Sequence, residues 1–325
     1  MKKNILITSA GRRVSLVEGF QEAQKSLGLD AEVMAIDMFP DWSSACRTAD
    51  RKFTAPSVRS ETYSTFLLDF VEKYEIGLIV PTIDTELIEL SNFREKLLDL
   101  GCNVVISDVS LINVCRDKRL TQAVFKGLDI PVPKIYDLDS IEIPCFTKPY
   151  DGSLSVGAKK VETFDEARLI QASNEKQIFM QYISSETHSE YTVDTYYDRN
   201  GNLKCLIPRR RVEIRGGEIS KGITTKGKIY DFLLPRMKHL DGARGCLTVQ
   251  LFYSSTLNDF RGIEINPRFG GGFPLSYKAG ANFPQWLLSE YLLSDTIGFN
   301  DSWEEGLAMA RYDKEVFFRM GEMQH

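Results

Sequence analysis

The sequence has few of the residues that build metal centres, disulfide frameworks or nucleophilic catalytic sites. Its six cysteines are scattered and form no CxxC pair, and its three histidines do not cluster with them. This pattern predicts neither a zinc site nor a set of disulfides, and it favours buried, reduced thiols in a cytoplasmic protein. No Ser/His/Asp or Cys/His arrangement is present either, so a protein nucleophile is not expected.

Long apolar runs and an excess of basic charge are also lacking. No apolar run approaches ~18 residues, which argues against a membrane-spanning helix. The net charge of -5 argues against a nucleic-acid partner, because such proteins present a basic face. The apolar run after Lys2 and Lys3 is short, which predicts a strand and not a signal peptide. With 325 residues, 43% of them hydrophobic, the chain can form two or three domains with packed cores.

Residues 1–110 alternate between strand and helix patterns. Apolar, β-branched runs such as Asn4–Thr8 are followed by segments with apolar residues at helical spacing, such as residues 14–27. This alternation predicts an open parallel α/β sheet with helices on both faces. Further helices are predicted over residues 84–100, 114–127 and 228–244.

Ligands of such a sheet sit beyond the carboxyl ends of its strands. The loops there contain Arg12 and Glu86, which we take as candidate substrate residues, although a solvated Arg12–Arg13 pair fits the sequence about as well. Gly11 is the only glycine of the first loop, so the G-x-G-x-x-G pattern is absent and no nicotinamide site is predicted.

A strand that ends at Lys148 leads directly into residues 152–157, a segment of glycines and small side chains. Such a segment lets backbone N–H groups approach an anion. The chain returns as a strand, so the pattern predicts a hairpin flap and not a Walker loop, whose glycines lead into a helix. The lysine and the flap can hold the same phosphates.

Oxygen ligands are concentrated in one predicted hairpin near the C-terminal third. Side chains alternate along a strand, so Glu264 and Asn266 share one face, and Gln250 faces them from the preceding strand. A carboxylate and two amide oxygens suit a hard cation such as Mg²⁺. Arg268 adds a fixed positive charge suited to phosphate or carboxylate. The glycine-rich loop that follows leads to Ser276, a third candidate substrate residue.

Taken together in chain order, these segments resemble the ATP-grasp superfamily. The likeness is to its carbamoyl-phosphate-synthase large-subunit and amino-acid-ligase branches, and it runs from the first strand to residue 295. The matching segments are Lys118, Lys148, residues 152–157, 181–183 and 190–194, Gln250, and residues 264–268. The resemblance implies a Rossmann-like pre-ATP-grasp domain (residues 1–110), a small lid domain (111–183) and an antiparallel-sheet domain with the metal and phosphate site (184–325).

The resemblance also implies roles for individual residues. ATP phosphates would be bound by Lys118, Lys148, Gly152, Ser153, Ser155 and Gly157. Adenine would be bound by Gln181, Tyr182 and Ile183, and the ribose by Glu190. One or two Mg²⁺ ions, replaceable by Mn²⁺, would be held by Gln250, Glu264 and Asn266. The catalytic residues would be Arg268 with one of the run Arg209–Arg211, where Arg210 and Arg211 are the favoured candidates.

Two departures from the family pattern are visible. Many members carry an acid where Gln250 stands, which weakens one metal site. Many also carry a lysine in the flap, whereas Leu154 and Ser155 occupy that region here. The chain is also too short for a complete carbamoyl-phosphate synthase, which puts that product in doubt.

The implied activity is that of an ATP- and Mg²⁺-dependent carboxylate–amine ligase. A small carboxylate, such as an amino acid, would be phosphorylated to an acyl phosphate and then attacked by an amine, releasing ADP and phosphate. Phosphorylation of bicarbonate or carbamate is an alternative, and so is an ATP-binding sensor without turnover. We expect small-molecule substrates, no nucleic-acid or membrane partner, and a homodimer in the cytoplasm.

Overall fold

A computed structural model of the chain describes residues 3–152 and 156–319. Ser153 and Ser155, two of the predicted phosphate-binding residues, lie outside the described residues. Three β-sheets organise the structure, one parallel and two antiparallel. None of the described helices is long and apolar enough to cross a membrane.

The first sheet has five parallel strands in the order β3-β2-β1-β4-β5. They are β1 (Asn4–Thr8), β2 (Val33–Asp37), β3 (Arg51–Thr54), β4 (Ile76–Pro81) and β5 (Asn103–Val104). The helices are α1 (Val14–Ser26), α2 (Ser44–Thr48), α3 (Tyr63–Lys73), α4 (Asp84–Asn92) and α5 (Arg94–Asp99). The predicted parallel α/β sheet is confirmed. The predicted helix over residues 84–100 is two helices, divided at Phe93, and α2 and β3 were not predicted.

Burial on both faces explains the apolar strands of this sheet. Ile5 and Ile7 belong to one core cluster with Phe20 of α1, whereas Leu6 belongs to a second cluster with Leu67 of α3. Successive side chains of a strand point to opposite faces, so β1 alone contributes to both clusters. Helices on both faces therefore keep the strand ends as the accessible part of the sheet.

Two helices connect the first sheet to the second. They are α6 (Val109–Arg116) and α7 (Lys118–Gly127). The sequence predicts a single helix from residue 114. Instead, Asp117 is extended (φ -106°, ψ 113°) and caps α7 by accepting a hydrogen bond from the Arg119 N–H. An Asp before a helix satisfies an otherwise unpaired N–H, so the break is locally encoded. It makes Lys118 the first residue of α7.

The second sheet is small and antiparallel, with the order β6-β9-β7-β8. Its strands are β6 (Ile135–Tyr136), β7 (Cys145–Pro149), β8 (Lys159–Val161) and β9 (Gln177–Gln181), and α8 (Phe164–Ser173) covers it. Lys148 lies in β7, as predicted. The antiparallel pairing of β7 with β8 agrees with a hairpin and excludes a Walker-type loop-to-helix turn.

The third sheet has six antiparallel strands in the order β14-β13-β10-β11-β12-β15. They are β10 (Ser189–Tyr197), β11 (Leu203–Arg215), β12 (Glu218–Thr224), β13 (Gly245–Ser254), β14 (Asp259–Asn266) and β15 (Ala308–Ala310). The accompanying helices are α9 (Gly227–Arg236), α10 (Phe273–Lys278) and α11 (Phe283–Leu292). The helix predicted over residues 228–244 is shorter than expected, and the run Arg209–Arg211 belongs to β11.

The first and third sheets share a core. Phe20 of α1 meets Phe269 edge-to-face with ring centroids 6.3 Å apart, and α1 also packs on α11. This shared packing fixes the carboxyl ends of β1 and β4 opposite the end of β14. The three-domain division remains a prediction, although the three sheets fall in successive parts of the chain.

Gly262 of β14 tests the contact between α7 and the third sheet. A Cβ at this position would lie 2.8 Å from the ring of Phe125, which is 1% exposed. We expect Gly262→Ala to lower the free energy of unfolding by ~1–3 kcal/mol, because the core is already filled. Gly127→Ala is the matched control, since a Cβ there has no neighbour within 4 Å. Urea denaturation that finds the two variants equally stable would contradict this packing.

Candidate functional site

A cavity of about 700 Å³ lies where the three sheets meet. Each sheet contributes to its wall: Thr82 follows β4, Lys148 belongs to β7, and Glu264 belongs to β14. Residues that are far apart in sequence therefore face one space. The end of the cavity near the second sheet is lined by lysines. The end near the first sheet is lined by both arginine and aspartate side chains.

Two lysines form the cationic end. Lys148 is 8% exposed, and burial lowers its pKa to about 8, while Glu264 opposes that shift. Lys118 donates from Nζ to the carbonyl oxygen of Gly152 at 2.5 Å, and its backbone N–H bonds to Tyr150 O at 3.0 Å. The first flap residue is thus attached to the start of α7. Both lysines and Gly152 line the cavity, as do Val156 and Ala158 but not Gly157.

The predicted metal ligands lie beside these lysines. Gln250 and Glu264 are directly paired across β13 and β14, as expected. Burial by itself would favour protonation of Glu264, but Lys148, a hydrogen bond from Asn266, Lys118 and Arg268 together lower its pKa. The Asn266 Nδ2 donates to Glu264 Oε1 at 3.0 Å, which leaves the side-chain oxygen of Asn266, Oδ1, available as a ligand.

This donor set fits Mg²⁺. Within residues 3–152 and 156–319 there is no group of three or more His, Cys, Asp or Glu that could hold a metal. One carboxylate and two amide oxygens would bind a hard cation weakly on their own. Mg²⁺ is commonly held by one or two carboxylates together with substrate phosphates, so an adjacent pair of lysines that recruits phosphate completes the site.

The predicted adenine segment also lines the cavity. Gln181, Tyr182 and Ile183 stand at its wall with Phe146 and Met180, two apolar side chains of the second sheet. The N–H of Gln181 bonds to Lys134 O at 2.8 Å, which fixes the segment against β6. Apolar side chains beside backbone polar groups suit a heteroaromatic ring.

Glu190 has a partner that the sequence did not suggest. Arg211 donates to it, and Arg211 Nη2 also donates to Gly217 O at 3.0 Å. Burial raises the pKa of Glu190, while Arg211 opposes the rise and Glu264 reinforces it. Glu190 therefore lies within the electrostatic range of the metal ligands, and its predicted contact with ribose stays a prediction.

The arginine run divides between the two faces of β11. Arg209 and Arg211 line the cavity, whereas Arg210 is exposed on the opposite face. The expectation that Arg210 can enter the site is wrong, because neighbouring side chains of an extended strand point in opposite directions. Arg209, which the sequence favoured least, is fully buried.

Arg209 forms the most buried ion pair of the site. Its Nε and Nη2 donate to the two carboxylate oxygens of Asp194 at 2.8 and 3.0 Å, and both side chains are 0% exposed. Ser276 Oγ donates to the same carboxylate at 2.5 Å. Ser276 is thus fully buried and does not line the cavity, so it supports the ion pair and is not a substrate contact.

Arg268 is held from the first sheet. Its Nη2 lies 2.8 Å and its Nε 3.2 Å from Asp84 Oδ2. Asp84 opens α4 beyond the carboxyl end of β4, and the sequence pattern alone did not predict its contact with Arg268. These two hydrogen bonds to a single carboxylate oxygen position Arg268 between the metal ligands and the first sheet.

The other two predicted substrate residues also lie outside the cavity. Glu86 is fully buried and accepts hydrogen bonds from Tyr63 and, at 2.9 Å, from Ser9; burial raises its pKa. It therefore holds the first loop to α3 and α4. Arg12 is exposed, whereas its neighbour Arg13 lines the cavity. Sequence alone could not separate adjacent arginines in a loop.

Two family models match parts of the chain. Residues 5–105 match the PylC-like N-terminal domain, and residues 173–314 match the ATP-grasp in the biosynthetic pathway with Ter operon. A comparison with the curated proteins finds no match.

Several solved enzyme structures share the fold over most of the chain. A biotin carboxylase from Campylobacter jejuni matches with a TM-score of 0.72 and 16% identity, covering 94% of this chain and 74% of its own. N5-carboxyaminoimidazole synthetase from Staphylococcus aureus, complexed with ADP, has a TM-score of 0.68 and 16% identity over 88% and 76%. L-amino acid ligase from Bacillus licheniformis has a TM-score of 0.65 and 18% identity over 89% and 74%.

Residues 173–314 thus match an ATP-grasp family model, and the fold over most of the chain is the one found in these solved enzymes. This confirms the resemblance stated from the sequence, together with its fold class of a parallel α/β sheet followed by a lid and an antiparallel sheet.

The Arg209–Asp194 pair yields a stability prediction. We expect Asp194→Asn to lower the free energy of unfolding by ~3–5 kcal/mol, because it leaves a buried guanidinium without its counter-charge. The control is Asp313→Asn, which removes an exposed partner of Arg215, with side chains 81% and 60% exposed. That change should cost less than ~1 kcal/mol. Thermal unfolding that shows equal losses would overturn the assignment.

Proposed function

We propose that the protein is an ATP- and Mg²⁺-dependent carboxylate–amine ligase that acts on a small carboxylate through an acyl phosphate. The observation that carries this proposal is the arrangement of one cavity. Lys118, Lys148 and Gly152 lie on one side, the Gln250–Glu264–Asn266 set forms the floor, and Arg268 stands between that floor and the first sheet.

Binding and orientation are the work of this chain's own residues. The lysines hold the nucleotide phosphates, and the 181–183 segment holds adenine. Arg268 offsets charge on the transferring phosphoryl group and orients the attacking carboxylate. Because such a transfer needs little covalent chemistry from the protein, positioning and fixed charge supply most of the rate enhancement. No protein nucleophile is required.

Mg²⁺ held by Gln250, Glu264 and Asn266 would neutralise phosphate charge, and Mn²⁺ would serve in its place. Closure of the flap would keep water from the acyl phosphate until an amine attacks it. The amine is then acylated, and ADP and phosphate are released.

Bicarbonate is the second candidate acid. A 2-oxoglutarate carboxylase domain from Hydrogenobacter thermophilus, in complex with MgADP and bicarbonate anion, shares the fold with a TM-score of 0.71 at 16% identity. Bicarbonate-dependent ADP release without an added organic acid would favour this alternative. Small-molecule substrates are proposed in either case. A homodimer, a cytoplasmic location and the absence of nucleic-acid and membrane partners stay predictions.

Glu264 gives the direct test of the function. Wild-type protein should release ADP from Mg-ATP when a suitable acid and amine are both present, and Glu264→Gln should lower that rate by ~100-fold or more, because the only carboxylate of the metal floor is lost. Glu175→Gln, at an exposed residue, is the matched control and should keep the full rate. Mg-ATP binding without ADP release across a broad panel would instead support a sensor.

Lys148 predicts a pH dependence of ATP binding. Burial lowers its pKa from 10.5 to about 8, so the ammonium dominates below that pH and is lost as the pH rises through it. Mg-ATP affinity should fall up to ~10-fold between about pH 7 and about pH 9. Lys148→Arg, which keeps its charge, should bind with a flat profile. Calorimetry that finds the same fall in both proteins would assign the titration to another group.

A further inference from the structure

We propose that the acid substrate carries a second anionic group in addition to the carboxylate that reacts, and that Arg13 binds this second group. The proposal rests on the ligase function argued above. It concerns the end of the cavity beyond Arg268, which neither the nucleotide nor the metal floor occupies in that account.

Arg13 is presented by a rigid loop. It follows β1 and is the residue before α1, and it lines the cavity. The Gly11 N–H bonds to Asp37 Oδ2 at 3.0 Å, and Ser43 Oγ donates to Gly11 O at 2.7 Å. Thr82 Oγ1 donates to Ser9 O at 2.7 Å. Contacts from β2, α2 and β4 therefore fix the loop before any ligand binds, which lowers the entropy cost of binding.

The charges at this end do not balance. Arg13 lies within electrostatic range of two other guanidinium groups (Arg268 and Arg311) and of two carboxylates (Asp84 and Glu218), and the exposed Arg12 also acts on Glu218. Both carboxylates are already engaged elsewhere: Asp84 pairs with Arg268 at 2.8 Å and Glu218 with Arg311 at 3.0 Å.

Arg13 is the cation left over. Within residues 3–152 and 156–319 its guanidinium forms no hydrogen bond or ion pair. Burial lowers the pKa of Arg13, although Glu218 and Asp84 oppose the shift. A partly buried guanidinium with five donors and no acceptor is costly to maintain unless a ligand supplies the acceptor. A planar carboxylate or a phosphate matches that fork of donors.

The missing acceptor is distinct from the ATP phosphates. Lys148 belongs to β7 of the second sheet, where Glu264, Lys118 and Glu190 act on it, whereas Arg13 follows β1 of the first sheet. Arg268 lies between the two regions, because it is within electrostatic range of both Glu264 and Arg13. The reacting carboxylate at Arg268 therefore lies between the phosphates and Arg13. A substrate that reaches both arginines has anionic groups at two separate points.

The test compares matched acids that differ by one charge. Dicarboxylic acids, with and without an amino group, are assayed against their half-amides for ADP release with Mg-ATP and an amine panel. Wild type should prefer the diacid of each pair, and Arg13→Gln should lower its kcat/KM by about 10- to 100-fold, mainly through KM. The half-amides should be unaffected. A parallel series of acids, in which a phosphate replaces the second carboxylate, shows which of these two anionic groups Arg13 binds.

Arg12→Gln is the matched control, since it removes an exposed arginine one residue away. It should keep the diacid preference, and thermal unfolding should show both variants folded. Equal use of diacids and half-amides by wild type, or an equal loss on both in Arg13→Gln, overturns the proposal.

A second measurement separates this proposal from the ligase function. Calorimetry is performed with protein loaded with Mg²⁺ and a non-hydrolysable ATP analogue, using the same acid pairs. Diacid binding that Arg13→Gln weakens by about 10-fold or more supports the anion site even if no amine yields ADP. Diacid binding no tighter than half-amide binding refutes it, whether or not ADP is released.

Discussion

Glu264 is a half-buried carboxylate in the cavity wall whose pKa is held below its usual range. Burial alone would raise its pKa, but Lys148, Asn266, Lys118 and Arg268 together lower it. The effect is mutual, because Glu264 raises the pKa of Lys148, whereas burial lowers it. This mutual support makes the Gln250–Glu264–Asn266 set dependent on α7 and on the packing of the second sheet against the third.

A second buried pair gives the site its shape. Arg209 and Asp194 neutralise each other completely out of solvent, and Ser276 adds a hydrogen bond. The glycine loop after Arg268 runs against this pair: a Cβ at Gly272 would overlap Arg209 Nη1, and one at Gly271 would lie 2.5 Å from the Glu218 carboxyl carbon. Only glycine allows the backbone to pass this close, so the loop's composition follows from packing.

The first sheet contributes charge and rigidity to chemistry located on the third sheet. Asp84 aligns Arg268, and the loop after β1 aligns Arg13. Both loops lie at carboxyl strand ends, where open α/β sheets place their ligands. The shared core around Phe20 and Phe269 holds them opposite the end of β14. Under the proposed function, this packing would couple substrate binding at the first sheet to phosphoryl transfer at the third.

The sequence by itself determined the features that depend on local periodicity and spacing. Alternation placed Glu264 and Asn266 on one strand face, the hairpin paired Gln250 with Glu264, and strand–helix repetition predicted the parallel sheet. Tertiary structure decided the rest. It turned Arg210 outward, buried Glu86 and Ser276, and placed Arg13, but not Arg12, in the cavity wall. The reason is that elements distant in sequence decide whether a side chain faces solvent, a partner or a cavity.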